Sequence, residues 1–411
     1  MSRLKQLLLG VALAILVSPN SVFVLFFGLI GIPGNSVFTG TLLAVTTVTI
    51  GLLCFRTDIV ARPADLLFFA LILCIVSSVA FNGWTSNAKE YELLVLSLAA
   101  YPACRFISRS DLVSSASSFA LAAKIIVALG TIVTTVALIE QWNDEHGKPI
   151  VFGQDAAGTH FLGLLGVLIL VAVTTGKLTR LNTALLSSLI FLPCVIFAAS
   201  VVRFTFVAIA GSLGLAIILS EAKQRKYIIA VGLVIFAAIV TGLAARYDVT
   251  LMSASSMLEE TSGEVGLEKP PSCYLNVNYR NSLSMRKALV RDALFLLPKA
   301  GWVGTGLDSF FRFSCMKSIQ VHNSILQAAI EFGWLAGGLL TLMIIAVAGS
   351  SWSLARQDGA SRFVLCGLSF VVFLSLAHGR ISRDAVLFAF LGCAVGLRET
   401  TQAVARPQAV G

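Results

Sequence analysis

An all-α membrane protein is the fold class this sequence predicts, and three observations carry that expectation. Hydrophobic residues fill 57% of the 411 positions and charged residues only 12%, about half of the roughly 25% with which a water-soluble domain covers its surface. Apolar runs close to the roughly 20 residues needed to cross a bilayer recur along the chain. Lys and Arg gather in every second connection between those runs, the asymmetry that orients membrane helices. A chain so poor in charge takes lipid as its solvent, so the phospholipid bilayer is its first expected partner. A net charge of +9 would suggest nucleic acid on a soluble protein. Here the placement of the charges matters more than their sum, and no nucleic-acid partner is expected.

Reading the apolar runs and their polar breaks gives about twelve transmembrane helices. The expected spans are 6–31, with a break near Pro19-Asn20, then 36–54, 65–82, 91–104, 114–139, 160–176, 183–200, 202–220, 227–245, 323–349, 361–377 and 385–398. The opening MSRLKQ and the run from Leu7 to Val17 resemble a signal peptide. No small-residue cleavage site precedes a hydrophilic mature domain, so the segment reads as an uncleaved first span.

One set of connections holds Arg3 and Lys5; Arg56 and Arg62; Arg105 and Arg109; Lys177 and Arg180; Lys223, Arg225 and Lys226; Arg356 and Arg362; Arg398 and Arg406. That makes fifteen basic residues, at least two in every connection of the set. The opposite short connections hold only Lys89, Lys148, Arg203, Arg380 and Arg383. The positive-inside rule makes the first set cytoplasmic, with both termini on that side. The chain then divides into nine helices over 1–245, one large periplasmic loop over 246–321, and three more helices with a cytoplasmic tail over 322–411. Cations on the disfavoured face invite a functional explanation.

Six of the eight cysteines lie in or beside spans, where Cys acts as a small hydrophobe. Cys273 and Cys315 both fall in the outer loop, and the sequence leaves open whether they pair. No Cys or His cluster has metal-ligand spacing, so no metal site is expected. Within the loop, Met285, Leu289, Ala293 and Leu296 recur at helical spacing, which predicts an amphipathic helix over 285–297 with Arg286, Lys287 and Arg291 on its polar part. A glycine-punctuated turn, Gly301 to Phe310, follows. Val321-His322-Asn323-Ser324 then opens the next span at its outer end. Helix N-termini favour anions, histidine exchanges protons near neutral pH, and arginines grip phosphate through paired hydrogen bonds. A lipid pyrophosphate is the obvious anion at a membrane surface.

At these residues a family resemblance becomes specific. The run Gly304-x-Gly306-x-x-x-Phe310, followed by His322-Asn323-x-x-Leu326-x-x-x-x-Glu331-x-Gly333, resembles the signature of the O-antigen ligase and polymerase superfamily, bacterial inner-membrane glycosyltransferases of the GT-C type. A span opening with an arginine at its outer end, here Arg203, fits the same pattern. So does an arginine eighteen residues before the glycine turn, here Arg286. There are departures: Val290 stands where many members have Trp, Gly301 where Pro is usual, and Phe204 where a small residue often follows the arginine. None removes a polar group, although the choice among Arg286, Arg291 and Arg280 in the loop stays open.

The resemblance implies transfer of a glycan from an undecaprenyl-diphosphate carrier to an acceptor hydroxyl on the outer face, inverting and without cofactor. In that scheme Arg203 and Arg286 hold the diphosphate and His322 serves as general base or orients the acceptor. Asn323, Arg291, Arg280, Arg380 and Arg383 are candidates for substrate binding. The first outer connection, residues 31–36, has no carboxylate to hold a metal, which suits a metal-free mechanism. A ligase would use lipid A–core as acceptor in lipopolysaccharide biosynthesis, and a polymerase would use a growing glycan. The single sizeable outer loop leans toward ligase. A transporter or flippase is disfavoured because the halves show no repeat and the polar residues gather at one face. Glu331 reads as a structural group with Lys124 as an available partner. The cluster from Asn143 to His146 reads as a solvated loop.

Overall fold

A computed structural model describes residues 2–30, 36–84, 87–143, 149–151, 154–155, 159–201, 204–255, 269–274, 277, 282–316 and 319–405. Among these residues the regular structure is helical apart from one antiparallel hairpin of two-residue strands, Ile150–Val151 with Gln154–Asp155. The first ten helices, α1 to α10, fill the first nine spans that the apolar runs predict, most with ends within four residues. α1 (Arg3–Val17) and α2 (Pro19–Ile30) divide the first span, and α3 (Ser36–Cys54), α4 (Pro63–Asn82), α5 (Ala88–Arg105) and α6 (Arg109–Glu140) follow. α7 (Thr159–Thr175), α8 (Arg180–Ala199), α9 (Phe204–Leu219) and α10 (Ala222–Ala245) complete that group. Among the described residues, seven helices are long and apolar enough to cross a membrane, eight with the broken α1–α2 pair counted as one span. α7 and α9 are shorter apolar helices.

The break between α1 and α2 is a bend of 89°, and its cause is local. Pro19 has no N–H to continue the ladder, while the Ser18 hydroxyl turns aside to donate to the His160 carbonyl at 3.2 Å. The loop segment then supplies α11 (Tyr247–Ser255), α12 (Ser282–Ala300) and the single turn α13 (Phe310–Phe313). α12 contains the expected amphipathic helix: Leu289, Ala293 and Leu296 are buried together with Ala288, Phe310, Met316 and Ile330 in a second hydrophobic cluster. Cys273 and Cys315 are joined by a disulfide across 42 residues. Beside it the buried Asp292 accepts hydrogen bonds from the Ser272 amide and the Ser314 hydroxyl at 2.9 and 2.7 Å, which ties both flanks of the bridge to α12.

One expected span is two helices. The run 323–349 divides into α14 (Ser324–Glu331) and α15 (Trp334–Gln357) at Phe332-Gly333, and the chain ends with α16 (Gly359–Ala377) and α17 (Ala385–Ala405). Gly333 has φ +96° and Gly304 has φ +75°, a region open to glycine and few other residues. A Cβ on Gly333 would run into the Trp302 carbonyl, and one on Gly304 into the backbone of Glu331. The two turns interlock through Thr305 N–H to the Ile330 carbonyl, Gly306 N–H to the Glu331 carbonyl and Trp334 N–H to the Gly301 carbonyl, each 2.9 Å. The glycines that punctuate the motif therefore serve as a clamp between the loop and the start of α15.

Charged networks collect at the two ends of the bundle. At one end Arg105 binds Asp65 at 3.1 Å and Glu399 at 2.5 Å, and Arg109 binds Asp358 at 2.9 Å. These residues border the basic-rich connections. Asn82, Lys89, Asn323, Arg383 and Asp384 lie at the opposite end, where helices α4, α5, α14, α16 and α17 meet.

Candidate functional site

The site is built at the meeting of α12, α14 and the connection from α16 to α17. His322 adopts φ +55°, a left-handed conformation that places it immediately before the start of α14. Asn323 caps that helix: its Oδ1 accepts from the Ile325 and Leu326 amides at 3.1 and 3.0 Å, satisfying two of the donors a helix start leaves orphaned. Its Nδ2 donates to the Leu376 carbonyl at the end of α16, 3.1 Å away. Asn323 thus serves as cap and cross-link, and it fixes the backbone on which His322 sits.

Arg286, on the first turns of α12, donates from Nη2 to Nδ1 of His378 at 3.2 Å. A guanidinium can only donate, so Nδ1 must accept and the His378 proton resides on Nε2. The His378 ring lies 5.9 Å from that of Phe204, the residue that follows Arg203, so the start of α9 reaches the same group. Arg203 and Arg280 lie outside the described residues. Asp155, His146 and the acidic stretch beside it also fall there or have side chains that do.

The connection after α16 is held from three sides. Gln327 Oε1 accepts from the Ile381 amide at 3.0 Å, while its Nε2 donates to Glu331 at 3.0 Å. The Ser324 hydroxyl donates to Asp384 at 2.6 Å. Arg383 donates to Glu90 on α5, which also accepts from Ser382 at 2.6 Å. Arg380 is half-buried and its Nε has no hydrogen-bond partner. Burial lowers the pKa of Arg286 below the ordinary guanidinium range. It lowers Arg380 too, with repulsion from Arg383 adding to the effect. A guanidinium remains charged nonetheless, so these are desolvated cations for which an anion is the natural complement.

Glu331 is pushed up to about 8, chiefly by burial and in part by the nearby charge of Asp308, against the opposing effect of hydrogen bonds, Gln327's among them. Its partner is Gln327 and not Lys124, which is exposed on α6. This group is structural, as the sequence suggests, but its expected companion is replaced because the break at Phe332-Gly333 turns Glu331 into the clamp. Burial likewise raises Asp384 to about 6. Arg291 is exposed and sits five residues from Arg286, about 140° around the helix. Arg286, Asn323, Arg380 and Arg383 therefore gather at one end of the bundle, and Arg291 faces elsewhere.

Three non-glycine residues among those described have positive φ: Val201 at 61°, Asp308 at 59° and His322 at 55°. Each such residue stores on the order of 1–3 kcal/mol. Val201 is two residues before Arg203. Asp308 closes the glycine turn, accepting from Asn87 at 3.0 Å. Strain held at His322 and at Asp308, on either side of the clamp, is the pattern of a pre-organised site.

Residues 186–343 match the O-antigen ligase family. The match runs from α8 into α15 and contains Arg203, Arg286, the glycine clamp and the His322-Asn323 pair, so the motif resemblance is borne out. No curated protein matches the chain. The matched segment leaves out Glu90 on one side and His378, Arg380, Arg383 and Asp384 on the other, which the fold alone brings to it. Sequence reasoning missed Glu90 and Asp384. The available signal was a carboxylate at the apolar end of a span, which has to find a partner.

Proposed function

We propose that this protein is a glycosyltransferase that moves a glycan from undecaprenyl diphosphate to an acceptor hydroxyl at the periplasmic face of the bacterial inner membrane, as an O-antigen ligase with lipid A–core as acceptor. The observation that carries the reading is the desolvated Arg286, hydrogen-bonded to the His378 imidazole, together with the strained His322-Asn323 turn inside the family-matched segment. Arg286 and Arg203 hold the diphosphate and take up the charge that develops on it as the sugar leaves. His322 accepts the proton of the attacking hydroxyl, and a single displacement inverts the anomeric centre. Arg380 and Arg383 widen the cationic surface behind His378. Arginines placed in this way do the work a divalent cation would do, so the reaction runs without one.

The test uses the purified full-length chain in nanodiscs with a lipid-linked glycan and either lipid A–core or a second donor as acceptor, with and without EDTA. Transfer to lipid A–core that resists EDTA and falls by about 100-fold or more in Arg286→Ala is the expected result. Elongation of the donor in place of transfer to lipid A–core would assign the chain to the polymerases. Full activity of Arg286→Ala would remove the site, and failure of the wild type with every acceptor would remove the transferase reading.

A further inference from the structure

A cavity of about 680 Å³ has Lys89, His160, His378, Arg380, Arg383 and Asp384 among its lining residues, at the end of the bundle that holds the site. A second cavity of about 360 Å³, mostly apolar, lies toward the Arg109–Asp358 end of the bundle. Leu16 and Val17, the last turn of α1 before its break, line both. Three other helices do the same with one continuous ridge each. On α7 the ridge runs from Gly163 and Val167 in the upper cavity to Val171 and Thr175 in the lower. On α16 it runs from Ser375 and Val371 to Val364 and Ala360, and on α17 from Val386 to Ala389 and Cys393. Residues spaced by three or four lie on one face of a helix. The two cavities are therefore successive stretches of one slot between α1, α7, α16 and α17, cationic at its mouth and apolar below.

We propose that this slot receives the polyprenyl tail of the lipid-linked donor, inside the bundle rather than on its lipid-facing surface. The inference rests on the transferase reading for its choice of lipid and deepens it. Two features select the occupant. The three cationic side chains, Lys89, Arg380 and Arg383, suit a diphosphate better than a zwitterionic headgroup, since they put charge-assisted donors where the lipid changes from polar to apolar. Length decides the rest. The slot follows α16 from His378 to Gly359, which at 1.5 Å per residue is about 28 Å. That is nearly the whole roughly 30 Å hydrocarbon thickness, whereas an acyl chain anchored in one leaflet reaches about half of it. A polyprenyl chain is long enough to fill both cavities. Val113, exposed on α6, lines the lower one, so the slot also opens sideways where a tail can enter or leave.

The test is photocrosslinking of the full-length protein in nanodiscs with a diazirine-tagged undecaprenyl diphosphate, in parallel with a diazirine-tagged phosphatidylethanolamine. Adducts of the prenyl probe on the slot ridges, for example at Val171, Val364 and Ala389, are expected, with the phospholipid probe confined to exposed residues such as Leu73 and Ile345. Prenyl adducts only on exposed residues, or phospholipid adducts in the slot, would overturn the proposal. This readout does not need turnover, so the slot can fail while the transferase reading stands, or the reverse. As a second measurement, Val171→Trp should reduce the preference for a long-chain over a short-chain donor by about tenfold, the loss expected when two methylenes lose their burial. An unchanged chain-length preference in a folded Val171→Trp protein would count against the slot equally.

Discussion

His322 raises a question that composition alone cannot answer, because its backbone and its ring make separate demands. A histidine at φ +55° gives up stability that glycine would keep, so its retention at the start of α14 asks for a use of the imidazole. The two demands can be separated by experiment. His322→Gly relieves the left-handed strain, worth on the order of 1 kcal/mol, and removes the ring. The variant should melt at the wild-type temperature or slightly above it in detergent, yet lose glycan transfer by 100-fold or more, the usual scale for a general base. Lower stability together with retained transfer would show that the residue serves the backbone only. Motif spacing singled out His322 and Arg286, because their distances from the glycine turn are visible in one dimension. The role of Asn323 did not, because whether an amide binds substrate or caps a helix depends on where the neighbouring amides point. In this fold it accepts from two amides and donates to Leu376.

At the scale of elements, hydropathy located the helices well and misjudged continuity in the tenth span. Apolar periodicity runs through Phe332-Gly333 without interruption, and the break is visible only once the glycine turn of the preceding loop is seen to need room for its own backbone. The clamp buries Glu331, with a pKa of about 8, so it is protonated in the folded chain at neutral pH. The unfolded carboxyl titrates near 4.5. A raised folded value means the native state binds the extra proton, so this group's contribution to stability is complete at low pH and is lost as pH rises from about 4.5 through 8. Wild-type protein should therefore melt at a lower temperature at pH 8.5 than at pH 6, where Glu331 keeps its proton. Glu331→Gln keeps the acceptor for Gln327 and cannot ionise, so most of that difference should disappear in thermal melts of the variant. An equal decline in both proteins would place the pH dependence elsewhere.

For the whole molecule, a bundle with two chemically distinct ends was legible from the alternation of basic residues. The ion pairs fit it: Arg105 with Asp65 and Glu399, and Arg109 with Asp358, sit among the basic-rich connections. Lateral order was not legible. Nothing in the sequence says that α17 packs along α5 or that the connection after α16 lies under α14, since hydropathy gives each helix a depth but no neighbour. The site depends on that order, because His378, Arg380 and Asp384 come to Arg286 and Ser324 from about 60 to 100 residues away in sequence. Which end faces which compartment follows from the charge rule alone, and it can be tested on the intact protein. Trp302, exposed beside the clamp, and Lys177, in the basic connection after α7, stand at opposite ends. Cysteine placed at 302, in a background lacking exposed thiols, should react with a membrane-impermeant maleimide in spheroplasts. Cysteine at 177 should react only after lysis. The reverse pattern would invert the topology and put His322 in the cytoplasm. There a periplasmic glycan and its acceptor could not reach it, so the transferase reading would fail with the orientation.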